Sequence, residues 1–134
     1  MSKTIVKFLM LLPCLFFTSC QNNKINDIEY PDYVGYSNIT SSFLYDYVVD
    51  IDTIKNNLDF IKDLSFTKTN EEDYLILGSI GFIYNGEGYK NYHLGDNDKL
   101  YFNENEVLYS STLGNYSSDE IIDFLVNNGK HICV

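Results

Sequence analysis

The chain has 134 residues, enough for one domain and too few for two, so any function rests on a single core with few elements around it. Nine lysines and no arginine stand against 19 acidic residues, a formal net charge of -10. Without a guanidinium fork to read guanine edges or clamp phosphate, and with a field that a nucleic-acid backbone repels, nucleic acid is not an expected partner.

Lys3 and Lys7 precede an apolar stretch from Phe8 to Phe17 that is interrupted by Pro13. A bilayer core of about 30 Å takes about 20 apolar residues to cross, so this run suits a cleaved export signal rather than a span. Phe17, Thr18 and Ser19 lead into Cys20 and then the polar "QNNK". This segment resembles the lipobox of bacterial lipoproteins, departing from it at Phe17, where the family usually has leucine. The resemblance implies that the signal is 1–19, that the Cys20 sulfur takes a diacylglycerol, and that the cysteine becomes an acylated N-terminus. It implies an envelope location on a bacterial membrane, held by several acyl chains, since a single chain gives only marginal residence. Removal of Lys3 and Lys7 with the signal leaves a formal net charge of -12. Cys14 would be lost, Cys20 consumed, and Cys133 left alone, so the mature form is expected to have no internal disulfide.

Residues 20–40 contain Pro31, Gly35 and many Asn and Asp, and are expected to form a tether. Within it Tyr30, Tyr33 and Tyr36 exceed what a solvating linker needs; they either pack on the domain or contact a partner. The domain is expected to span 41–134. Phe43, Tyr45 and Tyr47 alternate with Leu44 and Val48 in a β-prone run. Ile51, Ile54, Leu58 and Ile61 then recur at helical spacing, behind a cap at Asp50 or Asp52 and with Lys55 and Asp59 as an i,i+4 pair.

After the polar "TKTNEED", the run "YLILGSIGFIY" is rich in β-formers, and Asn85-Gly86 is a strong hairpin signal. "YKNYHL", the turn "GDND", and "KLYFNENEVLYSS" with a turn near Glu104 and Asn105 complete a four-strand antiparallel meander. Gly78 and Gly81 predict a bulge or bend. Ser117 with Glu120 is a capping box for a helix carrying Ile121, Ile122 and Leu125, and Gly129 stands where a C′ residue belongs. The last five residues read as a short strand. The expected class is α+β: a curved antiparallel meander of about four to six strands packed on one or two helices.

No pattern points to catalysis. His131, Cys133 and His93 could hold zinc only if the final strand lay beside the Tyr92 strand, and a solvated His with a buried Cys explains them more simply. "GDNDKLYFNENE" has Leu100 and Tyr101 where a calcium loop needs an oxygen ligand and glycine. "LGSIGF" has the wrong spacing for a nucleophile elbow, and "NGEG" lacks a phosphate loop's helix and Lys-Ser/Thr pair. Neither metal nor cofactor is expected. Small, acidic and exported, the domain is similar in character to inhibitor or immunity proteins that mask a basic partner, a likeness of size, charge and address alone. An accessory lipoprotein docking through Tyr30, Tyr33 and Tyr36 is the alternative, and a small hydrolase the third.

Overall fold

In the computed structural model, residues 24–25, 28–38 and 45–131 are described. The chain runs through β1 (Lys24–Ile25), β2 (Tyr33–Ser37), β3 (Tyr47–Asp50), α1 (Ile51–Asn57), a 3-10 turn (Ile61–Asp63), β4 (Phe66–Lys68), β5 (Ile76–Tyr84), β6 (Gly88–Gly95), β7 (Lys99–Glu104), β8 (Val107–Thr112), α2 (Ser118–Asn128) and β9 (Lys130–His131). The fold is α+β, an antiparallel open sheet with two helices. Among the described residues nine strands pair in the order β1-β4-β8-β7-β6-β5-β2-β3-β9, more than the four to six that the sequence predicts.

The predicted meander is the contiguous block β5-β6-β7-β8, because each of its turns carries a local signal. Tyr84 pairs with Gly88 around Asn85, Gly86 and Glu87, and Gly86 and Gly88 adopt φ of 78° and 93°, conformations that a glycine enters without steric cost. The register of β5 slips between Ile76 and Gly78, so the bulge sits beside the first strand glycine. Three more strands, β1, β2 and β4, lie outside the predicted block and the two short runs at 43–48 and the C-terminus. β2 pairs with both β3 and β5, and is an interior strand rather than part of a tether. Val34 and Tyr36 drive this, pointing into the core with 0% and 6% exposure. The domain therefore includes 28–38, ahead of the expected boundary at 41. β4 pairs with β8 and β1, and is held by Phe66.

One core lies between the helices and one face of the sheet. Ile54 of α1 and Ile121 and Leu125 of α2 meet Val34, Ile80, Phe82, Tyr92, Leu94 and Leu100. Phe66 stacks on Tyr92 at 5.4 Å and meets Phe102 edge-on at 5.0 Å. In a flat sheet β4 and β6, three places apart, would stand about 14 Å from one another, so these ring contacts lean the β4 side of the sheet toward its central strand.

The first helix is shorter than its apolar spacing predicts. Asp50 caps it by accepting from Thr53 N–H at 3.2 Å and from the Thr53 hydroxyl at 2.8 Å, and these bonds lower its carboxyl below the usual range. It ends after Asn56 and Asn57, poor helix formers, and Leu58 leaves the helical region with φ -152°. Tyr30 enters where the Lys55–Asp59 pair was expected: its hydroxyl donates to Asp59 Oδ2 at 2.8 Å and Lys55 Nζ lies 4.2 Å from its ring centroid.

The capping box of α2 forms as read, with Ser117 Oγ accepting from Glu120 N–H at 3.2 Å and Glu120 Oε1 accepting from Ser117 N–H at 2.8 Å. Gly129 differs in its reason. Its φ of -82° is open to any residue. A Cβ there would run into the Leu125 carbonyl and lie 2.9 Å from Tyr47 Cβ, so close approach of α2's end to β3 calls for glycine.

Candidate functional site

The helix-free face of the sheet is defined by alternation. Because Val34, Tyr36, Ile80, Phe82, Tyr92 and Leu94 point into the core, Gly35, Gly81 and Asn91 point the other way. Gly35 pairs with Gly81 and Gly81 with Asn91, so two missing side chains make a trough across β2 and β5 that ends at an amide on β6. Tyr45 lies in it. A Cβ on Gly35 would be 2.6 Å from Tyr45 Cγ, and one on Gly81 would collide with the hydroxyl end of the ring. The Tyr45 hydroxyl donates to Asn91 Oδ1 at 2.7 Å, and the residue is 8% exposed.

The next row along the same face is Tyr33, Ile83 and Tyr89, paired across β2, β5 and β6. Tyr33 and Tyr89 are 39% and 51% exposed, and Tyr89 packs edge-on to Tyr45 with centroids 6.1 Å apart. Tyr45, Ile83, Tyr84 and Tyr89 line an open groove of about 340 Å³ beside the Asn85–Gly86 turn. That turn is pinned, because Asp32 Oδ2 accepts from Asn85 N–H at 2.7 Å and Asp32 N–H donates to the Ile83 carbonyl at 2.8 Å. Rigid, amphipathic tyrosines held on strands offer contact area at little entropic cost.

The opposite end of this face is closed from within. Tyr74 stacks on Tyr101 at 3.9 Å, and Glu71 accepts from the Tyr101 hydroxyl at 2.8 Å and from Lys99 at 3.0 Å. Lys99, then Tyr101, hold the Glu71 carboxyl below its ordinary range. The segment around Glu71 and Tyr74 is thereby strapped over β7, and the Tyr33–Ile83–Tyr89 row is the part that the described residues leave uncovered.

Of the three tyrosines read as either packing on the domain or contacting a partner, two pack on the domain and one is exposed. Tyr36 is in the core, where its side chain supports the sheet and offers no face to a partner. Tyr30 is docked between Lys55 and Asp59. Only Tyr33 stands in the open row. Ile83, Tyr89 and Tyr45 were not singled out from the sequence; the signal present was a glycine inside each of two strands, which marks close approach of another group. Cys20 and Cys133 lie outside the described residues. His93 on β6 and His131 on β9 are separated by β5, β2 and β3, so the strand adjacency that a shared zinc site requires is not formed. Among the described residues no helix is long and apolar enough to cross a membrane.

Several tyrosine hydroxyls are shifted. Tyr45 is pushed up to about 12 by burial and then by Tyr89, and Tyr30 to about 12 by burial and then by the Asp59 carboxylate that accepts its hydrogen bond. Burial also pushes Tyr101 up to about 12, and it raises Tyr92. A raised acid favours its neutral form in the fold, so this stabilisation is complete below the ordinary value of 10.0 and is lost as pH rises through about 12. Thermal stability is therefore expected to fall across that window in step with tyrosinate absorbance. Equal melting temperatures on both sides of it would contradict the buried assignments.

No family model matches the chain, and neither the curated proteins nor the solved structures compared with it give a match.

Proposed function

We propose that the chain is a bacterial envelope lipoprotein whose domain works as a non-enzymatic binding module, anchored through Cys20 and directed at a basic protein. The observation that carries the binding reading is the open Tyr33–Ile83–Tyr89 row: two half-exposed rings flank an aliphatic residue on a pinned hairpin, next to a buried tyrosine that holds the floor rigid. Interfaces draw their energy from such aromatic anchors with little motion on binding. The lipobox-like sequence before Cys20 supports the address. The formal net charge of the sequence, -10, supports a basic partner by steering encounter. An inhibitor or immunity role fits this combination; an accessory role in an envelope assembly would use the same row, now through Tyr33 rather than Tyr30 and Tyr36.

One experiment tests address and partner together. Full-length protein expressed in a bacterial host is fractionated and then used as bait in envelope extract at low and high salt. Wild type is expected in the membrane fraction at mature length, and Cys20→Ala is expected to remain at precursor length. The bait is expected to retain a basic protein that salt releases and that Tyr33→Ala with Tyr89→Ala loses. Membrane retention of Cys20→Ala at mature length would remove the anchor, and capture of salt-insensitive or acidic proteins alone would remove the electrostatic reading.

A further inference from the structure

The sheet is not evenly knit. β5 and β6 pair along their whole length to the Tyr84–Gly88 closure, and β7 and β8 pair to Glu104–Val107. Between these two hairpins, β6 and β7 share only His93–Tyr101 and Leu94–Leu100. Past that point β6 continues from Tyr92 back to Gly88, and β7 continues through Phe102 to Glu104, with no ladder between them. The hairpins form a fork that is joined at its base and open toward their two tips.

Each strand has one side turned to its own hairpin partner, so every second residue of Gly88–Tyr92 directs its N–H and C=O into the fork. Gly88, Tyr89 and Lys90 are exposed, as are Asn103 and Glu104 on the far prong. The core beneath is sealed independently: Lys90 reaches across the fork on the helix side, with Nζ 4.1 Å from the Phe102 ring centroid and 5.6 Å from that of Tyr92. The Tyr92 and Phe102 rings also meet edge-on at 5.7 Å, and they are 1% and 6% exposed although the β6–β7 ladder stops short of them. An unpaired strand edge is a template for another strand, and its donors and acceptors select an extended backbone.

The mouth of the fork has a sign. Glu87 stands at the tip of one hairpin, and Glu104 and Glu106 at the tip of the other, all three exposed. Lys90 is the one cation on either prong's fork segment, 88–92 or 102–104, and its charge is directed at the aromatic rings. Tyr89, of the exposed row, rises beside the same edge.

We propose that the fork between β6 and β7 takes an extended, basic segment of the protein partner as an added strand, paired to the free side of Gly88–Tyr92. This rests on the binding reading above and names the segment's chemistry: backbone pairing fixes its conformation, the hairpin-tip carboxylates take its lysines or arginines, and Tyr89 packs on its flank.

The probe is a short alternating lysine–valine peptide, added to the domain at low salt and followed by backbone amide NMR and amide hydrogen exchange. In the free protein, fork-facing amides of Gly88–Tyr92 are expected to exchange faster than their β5-facing neighbours, and to become protected when the peptide binds. The same peptide, N-methylated along its pairing edge, should bind about tenfold more weakly, the equivalent of one or two lost hydrogen bonds. Joint replacement Glu87→Lys, Glu104→Lys and Glu106→Lys should weaken the parent peptide several-fold and leave the N-methylation penalty in place.

Protection of the fork amides without peptide, equal binding of the N-methylated peptide, absence of binding, or shifts confined to other elements each overturn the fork. Retention of full affinity by the triple variant overturns its charge preference. If a basic envelope protein is captured but leaves exchange at Gly88–Tyr92 unchanged, the fork fails while the binding function stands. If no basic protein is captured, that function fails while the peptide measurement still decides the fork.

Discussion

Gly35→Ala is expected to destabilise the domain by about 3 kcal/mol, at the upper end of what one inserted methyl costs in a packed site. The new Cβ would stand 2.6 Å from Tyr45 Cγ and 2.8 Å from Tyr45 Cβ, at the root of that side chain, where no rotation of the ring makes room. Tyr45 would have to leave the trough, giving up its burial and the 2.7 Å hydrogen bond to Asn91. Gly81→Ala meets the hydroxyl end of the same ring, which can tilt away, so it should cost less. For a domain of this size, 3 kcal/mol lowers the melting temperature by about 12 °C. The decisive measurement is a double-mutant cycle. Tyr45→Gly, which unlike alanine also removes the Cβ, should be costly alone and should nearly abolish the cost of Gly35→Ala, because the three atoms nearest the new Cβ all belong to that side chain. If the two penalties simply added, Gly35 would owe its place to the strand backbone and not to Tyr45. The same cycle bears on function, since Tyr45 supports Tyr89 edge-on and its loss should weaken partner capture without touching the exposed rings.

Features legible in the sequence were those whose cause is local. Ser117 and Glu120 satisfy each other's backbone donors within one turn, and Asn85-Gly86 supplies a positive φ where a tight turn needs one. The meander follows from such turns between β-prone runs, and so the α+β class was within reach. What the sequence hid depends on distant partners. Tyr33–Ser37 reads as linker because Pro31, Gly35 and Asn38 surround it; its strand character comes from pairing with β3 and β5. Phe66–Lys68 is too short and too polar to signal, and it exists because Phe66 finds Tyr92 and Phe102. The Lys55–Asp59 pair does not form as expected because Tyr30, remote in sequence, engages both residues. The candidate face was hidden for the same reason. Gly35 and Gly81 acquire meaning only when β2 and β5 lie side by side, and Tyr33 and Tyr89 form a row only through Ile83 between them.

Phe66→Ala is expected to have the largest effect of any single truncation in the core, about 4 kcal/mol, the midpoint of the range for buried Phe→Ala changes. Phe66 is fully buried, stacked on Tyr92 and edge-on to Phe102, and Phe102 in turn stacks on Tyr109 at 5.1 Å. Its removal would leave a void facing two rings, and β4 pairs with β8 at only Thr67–Ser110 and Lys68–Tyr109, too few bonds to hold the strand without the side chain. A domain of this length has about 5–15 kcal/mol in total, so the loss approaches the threshold for unfolding at growth temperature. Phe66→Leu should cost less than half as much, because it keeps most of the apolar volume while losing the ring contacts. Denaturant melts of the two variants, with unchanged slope, would measure both values. The position of the loss also matters. Phe66 ties β4 to the β6 and β7 prongs, so amide exchange in the variant should rise first in Phe66–Lys68 and Phe102–Glu104 and last in β2 and β5, where Ile80 and Phe82 meet the helices. Uniform exchange would instead mean that the sheet opens as a single unit and that Phe66 stabilises all of it equally.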